Sequence, residues 1–195
     1  MSDGIGGMRL ARAVEMTGPG GQERSVRADR ARFVGLYRRY VGPVHRYVYS
    51  RVSDGEDADD ITAQVFADAF AGWSRYREEG QFAAWLFRIA RRRCADHYRR
   101  GRPPLSLGDA DLAVDPIPGV ETEIDRRAVG RQLREVVGTL DQDKQELLRL
   151  RFAAGLTYVQ IGTVLGRQPA AVKMAVHRVL DRMAEELEVV HDHAH

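Results

Sequence analysis

Arg88, Arg91, Arg92, Arg99 and Arg100 stand in the segment RIARRRCADHYRR, at spacings that lay cations along one helix. The other face of that helix is apolar, with Phe82, Trp85, Leu86 and Ile89. Just upstream lie Trp73, Tyr76 and a short loop over 77–81. Guanidiniums that follow a backbone, beside rings and a loop able to receive a base, suit single-stranded nucleic acid. A merely solvated helix face is the plainer alternative for any arginine run, with Asp96 pairing to Arg92 or Arg100 four residues away.

A second constellation lies at 156–178, LTYVQIGTVLGRQPAAVKMAVHR, where two short helical patterns flank a glycine. Thr157 suits the cap of the first helix, and Val159, Ile161, Val164 and Leu165 its apolar contacts. Gly166 supplies the turn. Pro169 suits the first position of the second helix, where its missing N–H costs nothing. Val172, Val176, Val179 and Met183 predict the buried stripe. That leaves Gln168, Ala171, Lys173, Met174, His177 and Arg178 outward. This is the pattern of a helix-turn-helix whose second helix enters the major groove of DNA. Early residues would then lie near base edges and later cations near phosphates. The plain alternative is an ordinary helical hairpin.

A third surface is acidic. Asp57, Asp60, Gln64 and Asp68 share one stripe of a helix expected over 56–76 and suit a basic partner, although on these residues alone a solvated face is the favoured reading. The apolar side of that helix is read as Ile61, Val65, Ala69 and Trp73, widened by Phe66 and Phe70. Asp57, Asp59 and Asp60 fall in its first turn, where carboxylates complement the helix dipole.

Other chemistry finds little support. No acid, base and nucleophile converge, so no enzyme and no cofactor is expected. His191, His193 and His195 alternate near a free end, which reads as a disordered tail rather than a metal site. Cys94 is the single cysteine, which excludes an internal disulfide and fits a reducing cytoplasm. Its arginine neighbours would sensitise an exposed thiol, but a buried, inert one is the favoured reading. No apolar run is long enough to insert into a membrane, and no signal-peptide core is present.

These surfaces need elements to hold them. Periodicity begins at Phe33 and continues through Leu36, Tyr37, Tyr40, Val44, Tyr47 and Val48, an amphipathic helix that Gly42-Pro43 should kink or split. A helix over 81–100 carries the arginines. Helical pattern returns near 123, with Ile124, Ala128, Leu133, Val136, Val137 and Leu140. Asp141 should cap the next helix, with Leu147, Leu148, Leu150 and Phe152 inward and Gly155 at its end. The 195 residues have a net charge of only +2, but the charge is segregated. Residues 88–102 hold seven arginines and one acid, whereas 103–125 hold six acids and no base, so one part can bind a polyanion and another can mimic one. The predicted fold is all-α: two small helical domains joined by a flexible acidic linker, the C-terminal one containing the helix-turn-helix. The expected divisions are a disordered tail over 1–28, a first domain over 29–100, a Pro/Gly linker over 101–122, a second domain over 123–187 and a His-rich tail over 188–195.

In this order the segments resemble an extracytoplasmic-function (ECF) sigma factor of bacterial RNA polymerase, over about 30–187. DDITAQVFADAFAGWSRY is similar to the family's helix that docks on the polymerase clamp. FAAWLFRIARRRCADHYRR resembles its promoter-melting helix, and LDQDKQELLRLRFAAGLTYVQIGTVLGRQPAAVKMAVHRVL the domain that reads the upstream (−35) element. The resemblance implies a cytoplasmic initiation factor that binds polymerase core and promoter DNA and is held in check by an anti-sigma factor. It implies polymerase contacts at Asp59, Asp60, Gln64 and Phe66. It implies capture of the melted −10 strand by Tyr76, Arg77 and Gln81, with Arg88, Arg91, Arg92, Arg99 and Arg100 holding strand and adjoining duplex. The −35 element would fall to Gln168, Ala171, Lys173, Met174, His177 and Arg178, and the acidic linker would thread into the enzyme. Gln64 stands where the family commonly has Glu. Ala170-Ala171-Val172-Lys173-Met174-Ala175 replaces a typical G-T-V-K-S-R, so promoter preference does not carry over. Asp141 replaces a common Pro. No appended sensor domain is expected. A free-standing helix-turn-helix regulator is the rival reading, but it leaves the arginine helix and the acidic linker without a purpose.

Overall fold

Helix α1 runs from Pro19 to Val52 and is followed by α2 (Gly55–Gly72), a 3-10 turn (Trp73–Arg75) and α3 (Phe82–Arg99). Then come α4 (Glu123–Thr139), α5 (Gln142–Leu148), a π turn (Arg149–Ala153), α6 (Tyr158–Leu165) and α7 (Pro169–Asp192). The computed structural model describes residues 19–76, 81–100 and 123–192, with backbone alone at 19–26, 123–129, 131 and 188–192. The acidic linker expected over 101–122 and the loop at 77–80 lie outside the described residues. Among the described residues there is no strand, and no helix is long and apolar enough to cross a membrane.

The chain divides after Tyr40 into two units. In the first, Phe33 is buried, Val34 and Tyr37 are exposed, and the Arg39 guanidinium lies 5.4 Å from the Tyr40 ring centre. Two expectations for α1 need correction. Helix begins at Pro19, inside the tail expected to 28; proline's fixed φ suits a first helical position. Nor does Gly42-Pro43 split the helix, which carries Pro43 inside it. Val44, Tyr47 and Val48 follow at once and are fully buried, so packing offsets the lost backbone bond.

In the second unit, the first helical group has a core of Val44, Tyr47, Val48 and Val52 from α1, Ile61, Val65 and Ala69 from α2, and Leu86, Phe87, Ala90 and Cys94 from α3. Tyr47 meets Phe87 edge-on, with ring centres 5.4 Å apart. The turn into α2 places Ser53 at φ 54, and Asp54 then caps the helix by accepting from the Asp57 N–H at 2.9 Å. Phe70, expected on the inner side of α2, is instead 55% exposed. It stands about 100° round the helix from the buried Ala69, off the covered side.

The second helical group centres on Val136, Val137, Leu140, Leu148, Val179 and Met183, with Leu133 and Leu187 packed against them. Leu187 extends the α7 stripe by one turn beyond Met183, and the helix runs on to Asp192; the expected tail is helical except at 193–195, which lie outside the described residues. Asp141 caps α5 as predicted, accepting from the Lys144 N–H at 2.9 Å. Phe152, expected inward from its spacing, is 59% exposed. Phe152 lies two residues beyond the fully buried Leu150, on roughly the opposite side of the π turn over Arg149–Ala153.

Candidate nucleic-acid interface

Helix α3 presents its arginines as a working surface because Phe82, Leu86, Phe87, Ala90 and Cys94 are all buried on the opposite side. Burial pushes the Cys94 thiol up to about 12, so it is the inert thiol favoured from sequence. Several arginines already have partners. Arg93 Nε donates to Asp68 at 2.7 Å and Arg92 joins the same carboxylate at 3.0 Å. The hydrogen bond from Arg93 comes first in holding the Asp68 carboxyl below its ordinary pKa. Asp96 pairs with Arg99 at 3.5 Å, three residues on, rather than with Arg92 or Arg100 four residues away. Arg100 is exposed at the C-terminal end of α3.

Tyr76 is half-buried in a ring cluster, 5.7 Å from Trp73, 5.6 Å from Phe82 and 4.9 Å from Trp85, measured between centres. Gln81 is exposed at the start of α3 and makes no side-chain cap there. The structure thus brings Tyr76 and Gln81 to the head of the arginine helix; Arg77 lies outside the described residues.

On α2, Asp60 and Gln64 are exposed, and Asp59 is exposed while 3.1 Å from His45 Nε2. The two ends of the acidic stripe face inward: Asp57 is 3.6 Å from His97, and Asp68 serves the arginines. Phe66 is a correction. It is 5% exposed and belongs to the core, so it supports the helix from inside rather than standing on the outer face with Asp60 and Gln64.

The helix-turn-helix is built largely as its sequence indicates. Thr157 Oγ1 accepts from the Gln160 N–H at 3.3 Å while Gln160 accepts from the Thr157 N–H at 2.9 Å, a reciprocal capping box. Thr157→Ala should therefore lower unfolding stability by about 1 kcal/mol, read as a shift in denaturation midpoint with unchanged slope. Gly166 adopts φ 68, the left-handed turn conformation. Val172, Val176, Val179 and Met183 are buried, and Gln168, Ala171, Lys173, Met174, His177 and Arg178 are all exposed. Val159 departs from expectation at 59% exposure: Ile161 and Val164 set the inward face of α6, and position 159 lies about 200° from position 161.

One arrangement escaped the sequence reading. Glu146 of α5 is 7% exposed and joins the two helical groups. It accepts from the Tyr47 hydroxyl at 2.8 Å and from Arg51 at 2.7 Å, both on α1. Arg91 Nε of α3 lies 2.8 Å from the same carboxylate, misaligned for a hydrogen bond, so that contact is an ion pair. Nearby, Arg149 Nε donates to the Ser50 carbonyl at 3.0 Å and Arg46 Nε to the Ala153 carbonyl at 3.2 Å. On α3, Arg88 donates to the Thr163 carbonyl of α6. Burial, then Glu146, pushes the Tyr47 hydroxyl well above its ordinary pKa, so it remains a donor. Burial opposes the Arg51 charge, but Tyr47 and Glu146 outweigh it and hold the guanidinium above its usual value. Burial and the neighbouring Arg51 lower that of Arg149. The only signal in the sequence was a polar pair, Gln145-Glu146, immediately before the apolar Leu147-Leu148.

Residues 36–103 match the family described as Sigma-70 region 2, and residues 130–183 that described as Sigma-70, region 4. The chain is 30% identical over 161 residues to the ECF RNA polymerase sigma factor SigD of Mycobacterium tuberculosis, covering 77% of this chain and 74% of SigD. It is 29% identical over 168 residues to the ECF RNA polymerase sigma factor BldN of Streptomyces coelicolor, covering 85% of this chain but only 64% of BldN. With the RNA polymerase sigma-H factor of Pseudomonas aeruginosa it shares 26% identity over 176 residues, 85% of this chain and 91% of the relative. The fold is similar to CnrH, solved in complex with the cytosolic domain of CnrY, at a TM-score of 0.58 and 22% identity over 80% of this chain and 88% of CnrH. It is equally similar to RpoE of Bartonella quintana, solved with the anti-sigma factor NepR, at 0.58 and 21% identity over 80% and 97%. Two family regions in the same order as the two helical groups, with SigD aligned across both, place this chain among the ECF sigma factors, which are transcription initiation factors and not enzymes.

Proposed function

We propose that this chain binds RNA polymerase core in the cytoplasm, directs it to promoters through their −10 and −35 elements, and promotes melting of the downstream one. The observation that carries this reading is the presence, on one chain, of two helices with apolar sides in a core and nucleic-acid-compatible residues turned outward. Helix α7 begins at a capped helix-turn-helix with Gln168, Ala171, Lys173, Met174, His177 and Arg178 exposed. Helix α3 starts beside a ring cluster and carries the arginine series.

In this reading Ala171 and Met174 offer apolar contact to base edges, Gln168 offers hydrogen bonds, and Lys173, His177 and Arg178 approach phosphates. Tyr76, Arg77 and Gln81 receive an extruded base. Arg88, Arg91, Arg92, Arg99 and Arg100 follow the strand and adjoining duplex. Extrusion carries an unstacking cost that easily melted sequence lowers. Asp59, Asp60 and Gln64 face the polymerase clamp, with Phe66 fixing their helix from inside. The acidic linker follows channels shaped for nucleic acid. CnrH and RpoE were solved with protein partners, which supports an anti-sigma partner for this chain too.

The decisive experiment is run-off transcription with purified chain and core polymerase on a fragment library, with start sites mapped. Transcripts sharing upstream sequences are the expected result. Folded chain that fails to bind core overturns the reading, and operator binding without polymerase would favour the free-standing regulator. Lys173→Ala and Arg178→Ala should each weaken upstream-element binding across all sequences and reduce the salt slope by about one phosphate contact.

A further inference from the structure

We propose that Glu146 is a latch that closes the two helical groups on each other and, while closed, withholds Arg88 and Arg91 from DNA. This role for Glu146 rests on the proposed use of α3 as a DNA surface. Arg91 faces the Glu146 carboxylate at 2.8 Å, and Arg88 donates to the Thr163 carbonyl. Both partners belong to the C-terminal group, so two of the five arginines assigned to the strand are occupied by the same chain. A carboxylate held at a guanidinium occupies the position a phosphate oxygen would take.

The latch is concentrated on one residue. Tyr47, Arg51 and Arg91 all converge on Glu146, and Arg149 is buried close by with its Nε on the Ser50 carbonyl. Arg46 adds a bond to the Ala153 carbonyl. Removing the carboxylate leaves Arg51, Arg91 and Arg149 as a group of like charges with no anion at their centre. Opening gives each of them water, so loss of Glu146 favours the open chain. The wild-type carboxylate reverses that preference only while the groups are together. A ligand that needs the open form then binds with its affinity reduced by the open fraction.

The test uses the full chain as wild type, Glu146→Ala and Tyr47→Phe. Radius of gyration from solution scattering reads opening, and binding of a labelled mixed-sequence single-stranded DNA at low salt reads release of the arginines. Glu146→Ala should expand the chain and raise DNA affinity on the order of tenfold, the size of a typical coupling between sites. Tyr47→Phe removes one hydroxyl donor and should shift both readings the same way by a smaller factor. Circular dichroism checks that helix content is kept; if Glu146→Ala loses it, Tyr47→Phe decides alone. An unchanged radius in a folded variant overturns the latch. Expansion without a gain in DNA affinity overturns the withholding of Arg88 and Arg91. Core polymerase binding by the wild-type chain is measured in parallel, so failure of the latch is distinguishable from failure of the proposed function.

Discussion

Gly162→Ala is expected to destabilise the helix-turn-helix by about 1–3 kcal/mol, the range for forcing extra volume into a well-packed site. Gly162 is a buried position in the middle of α6. A Cβ built there would lie 2.6 Å from the Arg167 carbonyl oxygen and 3.4 Å from the Pro169 nitrogen. Both are backbone atoms, so no flexible side-chain end can swing aside. The Arg167 N–H also donates to the Gly162 carbonyl at 2.9 Å, which ties the turn to the helix at the point where the methyl would intrude. Relief requires the segment between α6 and α7 to move, taking Gln168 with it, along with the start of α7 that carries Ala171. Urea denaturation should show the loss as a lower midpoint, and duplex binding through α7 should weaken in parallel. A midpoint equal to wild type would mean that the turn has slack the geometry does not show.

The second large effect is expected in the first helical group. Phe87 is fully buried against Tyr47, and Phe87→Ala should cost about 3–5 kcal/mol by removing transfer energy and leaving a cavity. Phe70→Ala, at a residue that is 55% exposed, should cost less than about 1 kcal/mol. Chemical denaturation of both variants measures the difference directly. Equal losses would contradict the placement of the two rings. Because Tyr47 also donates to Glu146, Phe87→Ala has a further consequence: a loosened Tyr47 weakens the latch, so solution scattering on this variant should show partial opening even where helix content survives.

That pair of phenylalanines marks where the sequence stops being readable. Phe70 completes an apolar pattern on α2, and Phe87 stands outside the inner face expected for α3. Yet Phe70 is exposed and Phe87 is among the most deeply buried large side chains. Periodicity reports which residues share a side of a helix; how wide a side is covered depends on the neighbouring helix. Val159 and Phe152 follow the same logic: each is exposed two residues from a fully buried neighbour, Ile161 and Leu150.

The arginine series shows the same limit in electrostatic form. Spacing placed Arg88, Arg91, Arg92, Arg99 and Arg100 on one helix. It did not show that Asp68 holds Arg92 and Arg93, that Thr163 takes Arg88, or that Glu146 takes Arg91. Glu146 and Arg51 are 95 residues apart, and no local pattern couples positions at that separation.

What the sequence determined by itself is therefore local. Asp141 and Thr157 as caps, Gly166 as the turn and the stripe Val172, Val176, Val179 and Met183 follow from residues within one or two turns of each other, whose chemistry satisfies backbone groups at hand. The order of the two helical groups, and the family they belong to, followed from those local patterns. Only the tertiary structure decided which apolar rings were covered, which arginines were already engaged, and that a buried glutamate joins the two groups. Burial and ion pairing depend on what arrives from elsewhere in the chain, and a carboxylate becomes a latch only when a hydroxyl and two guanidiniums are brought to it by two other helices.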